Sequence, residues 1–230
     1  MTLSDAFWPQ VDAGPRRLLV VPVGSLEQHG PHLPLDTDTR IAVAVTTRAV
    51  NGLAGVAVAP AIAIGASGEH AGFPGTLSIG TEALTGCLVE LGRHASIHWP
   101  AMLLVNGHGG NADAVGAAVA QLTVEGRRVR AWHASVPGGD SHAGRTETSI
   151  MLALAPDSVR LAAASAGDIR SLPEIMPLLR SGGVRVVSPN GVLGDPAGAS
   201  AAEGAELLAS LVSRLAATIG GMLSDRPGRE

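Results

Sequence analysis

Two carboxylates and an imidazole that could share one cation stand close together in Val23-Gly24-Ser25-Leu26-Glu27-Gln28-His29-Gly30-Pro31-His32-Leu33-Pro34-Leu35-Asp36-Thr37-Asp38. Glu27 and His29 are two positions apart, so on extended backbone they point to the same side. Gly30 and the two prolines then turn the chain out of regular structure and back, and Asp38 opens the next predicted helix. Glu27, His29 and Asp38 gathered in this way make a mixed oxygen and nitrogen donor set suited to Zn2+, Mn2+ or Fe2+. The competing reading makes Asp36 or Asp38 a helix cap and leaves Glu27 and His29 on a solvated loop.

A second candidate stretch is Asn106-Gly107-His108-Gly109-Gly110-Asn111, directly after a predicted strand. A histidine in such a loop can approach a metal while the N–H groups of Gly109 and Gly110 stay free for an oxyanion or a substrate carboxylate. The plain alternative is a tight strand-to-helix turn; a phosphate loop lacks its Gly-Lys-Ser/Thr. The third stretch, His142-Ala143-Gly144-Arg145-Thr146-Glu147-Thr148-Ser149, puts Glu147 in the first turn of a helix, where a carboxylate is favoured whatever its function. Glu69 and His70 lie on a Gly/Pro-rich loop that can face the same place, and His133 ends a strand. His94 and His98, spaced by four, read as complements to a helix C-terminus. Ser25 and Ser67 lack the Gly-x-Ser-x-Gly context of a nucleophile elbow, and Cys87 reads as a small buried hydrophobe.

What must hold these stretches is an α/β framework. Short branched runs at 18–23, 56–64, 102–105, 129–133 and 184–187 read as buried parallel strands. Helical periodicity in Leu84, Leu88, Leu91 and Ala95, and in Leu208, Leu211, Val212, Leu215 and Ile219, alternates with them. Further helices are predicted over 39–50, 111–125 and 146–155. This predicts a single three-layer α/β/α domain over 1–230 with a mainly parallel central sheet and a frayed tail at 222–230. The candidate stretches fall at strand ends, where open α/β sheets place ligands.

The composition agrees: of 230 residues, 46 % are hydrophobic, 16 % charged and 2 % aromatic, with no Tyr, so the core must be aliphatic. All 16 cationic residues are Arg, and they are scattered; with a net charge of −4, no nucleic-acid partner is expected. The longest apolar stretch, 54–66, is broken by Pro60 and falls short of the roughly 18–20 residues of a membrane helix. Met1 to Gln10 has no basic-then-apolar signal. The expectation is a soluble, cytoplasmic protein with no membrane partner.

The three stretches together resemble the creatininase family of metal-dependent amidohydrolases. Glu27-Gln28-His29-Gly30-Pro31-His32-Leu33-Pro34-Leu35 followed by Thr37-Asp38 matches its leading motif, and Phe73-Pro74-Gly75-Thr76, Asn106-Gly107-His108 and His142 to Ser149 follow in order. The resemblance implies a homo-oligomer whose subunits each hold two divalent metal ions (Zn, Fe or Mn). It implies Glu27 and His108 on one ion, His29 on the other, and Asp38 bridging. Where creatininase has a metal-binding Glu, this chain has Gly110, and Glu147 is the natural replacement. Where creatininase has a tryptophan, this chain has Gly138, which opens the site and makes creatinine an unsuitable substrate. The reaction implied is amide hydrolysis, with His142 as general acid, Gly109 and Gly110 assisting the oxyanion, and Glu69 and His70 orienting substrate. Gly65 to His70, Pro137 to His142 and Gly191 to Pro196 resemble a peptide-cleaving branch of the family, which implies a modified precursor peptide as substrate. A deformylase, a small cyclic amidase and an inactive metal- or peptide-binding homologue are the alternatives.

Overall fold

The computed structural model describes residues 1–225. Four parallel strands, β1 (Leu18–Val23), β2 (Val56–Val58), β3 (Met102–Asn106) and β4 (Val129–His133), form one sheet in the order β2-β1-β3-β4. The helices are α1 (Trp8–Ala13), α2 (Thr37–Ala49), α3 (Gly80–Ala95), α4 (Ala112–Val124), α5 (Arg145–Leu154), α6 (Leu172–Gly182), α7 (Val184–Val187) and α8 (Ala201–Ser224). Side chains alternate across the sheet as the pleat requires. Leu18 and Val20 of β1 pack with Ile41 and Val45 of α2, Met151 of α5, and Leu208, Leu211, Leu215 and Ile219 of α8. Leu19, Val21 and Val23 face Leu84 and Leu88 of α3 and Val115, Ala118 and Leu122 of α4. The result is the three-layer α/β/α architecture with an aliphatic core.

Strand order explains where a site can form. From β1 the chain leaves through α2 on one face towards β2, whereas from β3 it leaves through α4 on the opposite face towards β4. The two loops diverge and open a crevice at the carboxyl ends of the adjacent strands β1 and β3, the place where such sheets bind ligands.

Several elements differ from expectation. β2 stops at Val58 rather than running to Ile64: Pro60 has no N–H for a ladder, and only Ile62 rejoins the sheet, as a single bridge to Val23. Val184–Val187 is a short helix, not a strand. Its branched residues bury Val184 and Val187 against Ile175 and Leu193, away from the sheet, a choice that so short an apolar run does not encode. Cys87 is exposed, because the buried face of α3 runs through Leu84, Leu88 and Ala95 and leaves position 87 off it. His94 is still within α3 but His98 lies beyond its end, so they share no helix face. Helix α8 continues to Ser224 with Met222 buried, so residues 222–224 are not frayed; 226–230 lie outside the described residues. With a mean hydropathy of 1.5, α8 is long and apolar enough to cross a membrane, yet its apolar stripe is spent on the core.

Candidate metal centre

The loop after β1 curls back on itself as its glycine and prolines dictate. Gly30 takes φ +63°, the N–H of Leu33 returns to the carbonyl of His29 at 3.3 Å, and the N–H of Glu27 reaches Leu35 at 2.9 Å. This hairpin buries Glu27 and His29 and delivers Asp38 in the first turn of α2. His108 enters from the loop after β3, Glu147 from the first turn of α5, and His142 from the segment before it. Asn111 ties the loops together: its Oδ1 accepts the N–H of Ala66 at 2.8 Å, and its Nδ2 donates to Gly24 at 2.9 Å.

The predicted ligands converge. His29 Nε2 lies 3.0 Å from Asp38 Oδ1 and 3.9 Å from Glu147 Oε2. His108 stands between two carboxylates, with Nε2 3.0 Å from Glu27 Oε2 and Nδ1 3.1 Å from Asp38 Oδ2. Ser25 Oγ donates to Asp38 Oδ2 at 2.8 Å. His70, only an orienting candidate in the sequence, is buried with Nε2 3.3 Å from Glu27 Oε1. His142 packs its ring 4.3 Å from that of His29 and 4.6 Å from that of His70. Three groups have ligand atoms that all lie within 4.8 Å of one another: Glu27, Asp38 and His108; His29, Asp38 and Glu147; and Glu27, His29 and His142.

Glu27 is the diagnostic residue. Both its oxygens are buried without a hydrogen-bond partner among the described residues, although imidazole nitrogens of His108, His70 and His142 lie 3.0, 3.3 and 3.7 Å away. A buried carboxylate needs positive charge close by: protonated His108 supplies part of it in the metal-free site, and a divalent cation among these nitrogens and oxygens would supply the rest. The tautomers assigned from the hydrogen bonds fit the same purpose. His29 Nδ1–H donates to the carbonyl of Glu27 at 3.1 Å, so Nε2 is the nitrogen turned towards Asp38 and Glu147, able to hold an ion once its proton leaves. The residues therefore fit divalent ions.

The charges in the metal-free site answer one another. Burial opposes a charged His29, but Asp38, Glu147 and Glu27 outweigh it and push its pKa from 6.5 to about 10. Burial likewise opposes a charged His108, yet Glu27, Asp38 and Glu69 hold it well above its usual value. Asp38 is held well below the usual carboxylate range, with His29 and His108 overcoming burial. Burial and the charge of Asp38 raise Glu147 to about 7, although His29 pulls it the other way. Burial, then His29 and His70, depress His142 and keep it neutral.

Two cavities of about 230 and 470 Å3 flank the centre, and both are lined by Gly107, His108, Gly109, Ser141 and Glu147. Glu69, His70 and Gly110 line the larger one. Gly138 is exposed, with nothing within 4 Å of where a Cβ would stand, and it lines neither cavity. His94, His98 and His133 take no part in the three ligand groups. His133 instead bonds Asn106 Nδ2 at 3.1 Å. The supporting roles of Ser25, Gln28 and Asn111 went unread in the sequence. The available signal was that all three are uncharged polar residues inside the chemistry-bearing stretches, Ser25 and Asn111 next to glycine and Gln28 between Glu27 and His29.

This fold and this cluster of buried acids and imidazoles define a metal-dependent hydrolase. The creatininase family profile, described as creatinine amidohydrolase, matches residues 4–219, and the chain belongs to that family. It is similar to the mycofactocin precursor peptide peptidase of Mycolicibacterium smegmatis, with 52 % identity over 216 residues covering 92 % of this chain and 87 % of the relative. A crystal structure of creatinine amidohydrolase superposes with a TM-score of 0.82 at 27 % identity, covering 98 % of both chains. Creatininase structures of a manganese form (TM-score 0.79) and a Zn-Zn form (0.80) are each 26 % identical, covering 97 % of this chain and 98 % of theirs.

Proposed function

We propose that this chain is a two-metal peptidase that hydrolyses the modified mycofactocin precursor peptide near its C-terminus, releasing the cross-linked Val-Tyr-derived dipeptide. The carrying observation is the buried, unpartnered Glu27 carboxylate surrounded by imidazole nitrogens. The similarity to mycofactocin precursor peptide peptidases supports the substrate. Glu27 and His108 would hold one ion, His29 and Glu147 the other, with Asp38 between them. Zinc, iron or manganese so held would lower the pKa of water from 15.7 towards about 7 and polarise the scissile carbonyl.

The protein's own groups do the rest. Gly109 and Gly110 offer backbone N–H groups on the cavity wall to the oxygen that gains negative charge. His142 donates Nε2–H to the carbonyl of Gln28 at 2.9 Å, which leaves Nδ1 facing Glu27 with a free lone pair. Being neutral, His142 accepts a proton there as water attacks and returns it to the departing amine. The C–N bond breaks, the acyl carbon keeps the water oxygen, and the amine leaves protonated. Glu69 and His70, on the wall of the larger cavity, orient the peptide.

The test incubates the purified chain with modified precursor peptide and follows the products by mass spectrometry, alongside metal analysis. Glu27→Gln, Asp38→Asn and His108→Ala should each lose bound metal and cleavage together. Undiminished turnover by chelator-stripped, metal-free protein overturns the proposal.

A further inference from the structure

We propose that Gln28 and His70 together position Glu27 as a metal ligand: Gln28 holds the proton of His70 on Nε2, and that N–H steadies Glu27 Oε1 so that Oε2 stays free for an ion. The inference rests on the metal-centre reading above and gives His70 a task separate from its contact with the peptide. The side-chain amide of Gln28 has one orientation open to it. Its Oε1 accepts the N–H of Gly30 at 2.9 Å, and its Nε2 donates to the carbonyl of Gly191 at 3.0 Å. Exchanging oxygen and nitrogen would set two donors against each other at Gly30 and two acceptors at Gly191. Gly191, at φ +80°, makes the room, since a Cβ there would collide with Gln28 Oε1.

One hydrogen on Gln28 Nε2 is left, and two imidazoles stand near it. His142 Nε2 lies 3.2 Å away but already carries a proton, which it donates to the Gln28 carbonyl at 2.9 Å. The hydrogen therefore goes to His70 Nδ1, 2.8 Å away. Because Nδ1 accepts, the ring proton of His70 sits on Nε2. That nitrogen faces Glu27 Oε1 at 3.3 Å, whereas Glu27 Oε2 lies 3.0 Å from His108 Nε2, inside the group formed with Asp38. The two oxygens of one carboxylate thus have different neighbours, an N–H on one side and the ion-binding group on the other. Gln28, His70 and Glu27 are all buried, so water competes little for these contacts. With Nδ1 engaged and Nε2 protonated, His70 has no lone pair for an ion, and its part is to orient the residue that has one. Such outer partners of a ligand are worth about 10–100-fold in metal affinity.

The experiment measures zinc affinity of the full chain by chelator competition, without peptide, and reads the histidine ring protons from two-bond 1H–15N spectra. In native protein, His70 should show a bare Nδ1 and a protonated Nε2, with zinc bound and without. His70→Leu should weaken zinc binding by about 10–100-fold. His70→Gln keeps an N–H donor close to the place of imidazole Nε2 and should recover most of that loss. Thermal melts of the metal-free variants identify any that fail to fold, and the native ring spectrum decides the proton position without them. A bare Nε2 on native His70 overturns the proposal, as does a His70→Gln protein that binds zinc as weakly as His70→Leu, the result expected of a direct ligand. A native chain that binds no zinc fails the metal-centre reading itself, whereas native affinity in His70→Leu fails this inference alone.

Discussion

Gly110→Ala tests whether this chain can spare the space its neighbour atoms already fill. A Cβ at position 110 would stand 2.5 Å from both the Ala66 carbonyl oxygen and His108 Nε2, and closer still to Glu69 Oε1. Glu69 can swing aside, but the Ala66 oxygen is backbone and His108 is buried, so about 0.9 Å must come from the loop or the imidazole to reach an ordinary contact. Overpacking of this kind costs about 1–3 kcal/mol. At roughly 2–4 °C per kcal/mol for a chain of this size, the melting temperature should fall by about 2–12 °C. A shift approaching 0.9 Å also exceeds the ~0.2 Å tolerance of ligand distances, so metal affinity should fall at least about tenfold. Gly109→Ala is the internal control: nothing lies within 4 Å of its Cβ, and its backbone is not left-handed, so stability should stay within about 0.5 kcal/mol of native. Thermal melts with and without chelator, together with elemental analysis, read both effects. A Gly110→Ala protein that melts with the native and keeps its metal refutes the argument.

Metal uptake at neutral pH should release protons, because His29 is raised to about 10 in the metal-free protein; calorimetric enthalpies that do not vary with buffer ionisation heat would contradict this. For that same metal-free protein, a histidine raised from 6.5 to about 10 contributes stability that is fully present below 6.5 and lost as pH rises towards 10. Its melting temperature should therefore drop over that window, and a flat profile counts against the coupling of His29 to Asp38. Gly204→Ala should destabilise by about 1–3 kcal/mol, since a methyl on α8 would collide with the Ser149 carbonyl of α5. Because α5 carries Glu147, metal content measured on the folded variant should fall as well. Cys87, exposed on α3, should react with a maleimide under native conditions without loss of bound metal; a thiol that labels only after unfolding would speak against the placement.

The convergence of the acids and imidazoles was legible because its signal is local. Glu27, His29 and Asp38 share one turn-rich segment, and His108 and Glu147 each follow a predictable strand-to-helix punctuation. Helices α2, α3, α4, α5 and α8 and three of the four strands were legible for the same reason, since periodicity survives in a single sequence, whereas α1 and α6 were not expected. What escaped depends on contacts between distant parts of the chain. Gln28 donates to His70 at 2.8 Å and to Gly191 at 3.0 Å, contacts that no spacing within the motif announces. Val184–Val187 has the composition of a strand, and only its burial against Ile175 and Leu193 makes it a helix. Position 110 shows the same limit: its sequence tells of a missing carboxylate, while the fold shows Glu69 and Ala66 crowded into the place.

Ile175, Val184, Val187 and Leu193 form a small apolar cluster of their own, separate from the two that sandwich the sheet. The segment that lines one wall of the larger cavity is therefore secured by an anchor that the strands do not share. Substitutions there can reshape what the enzyme admits while the catalytic platform stays folded, so new substrate preferences are open to this scaffold through one replaceable panel.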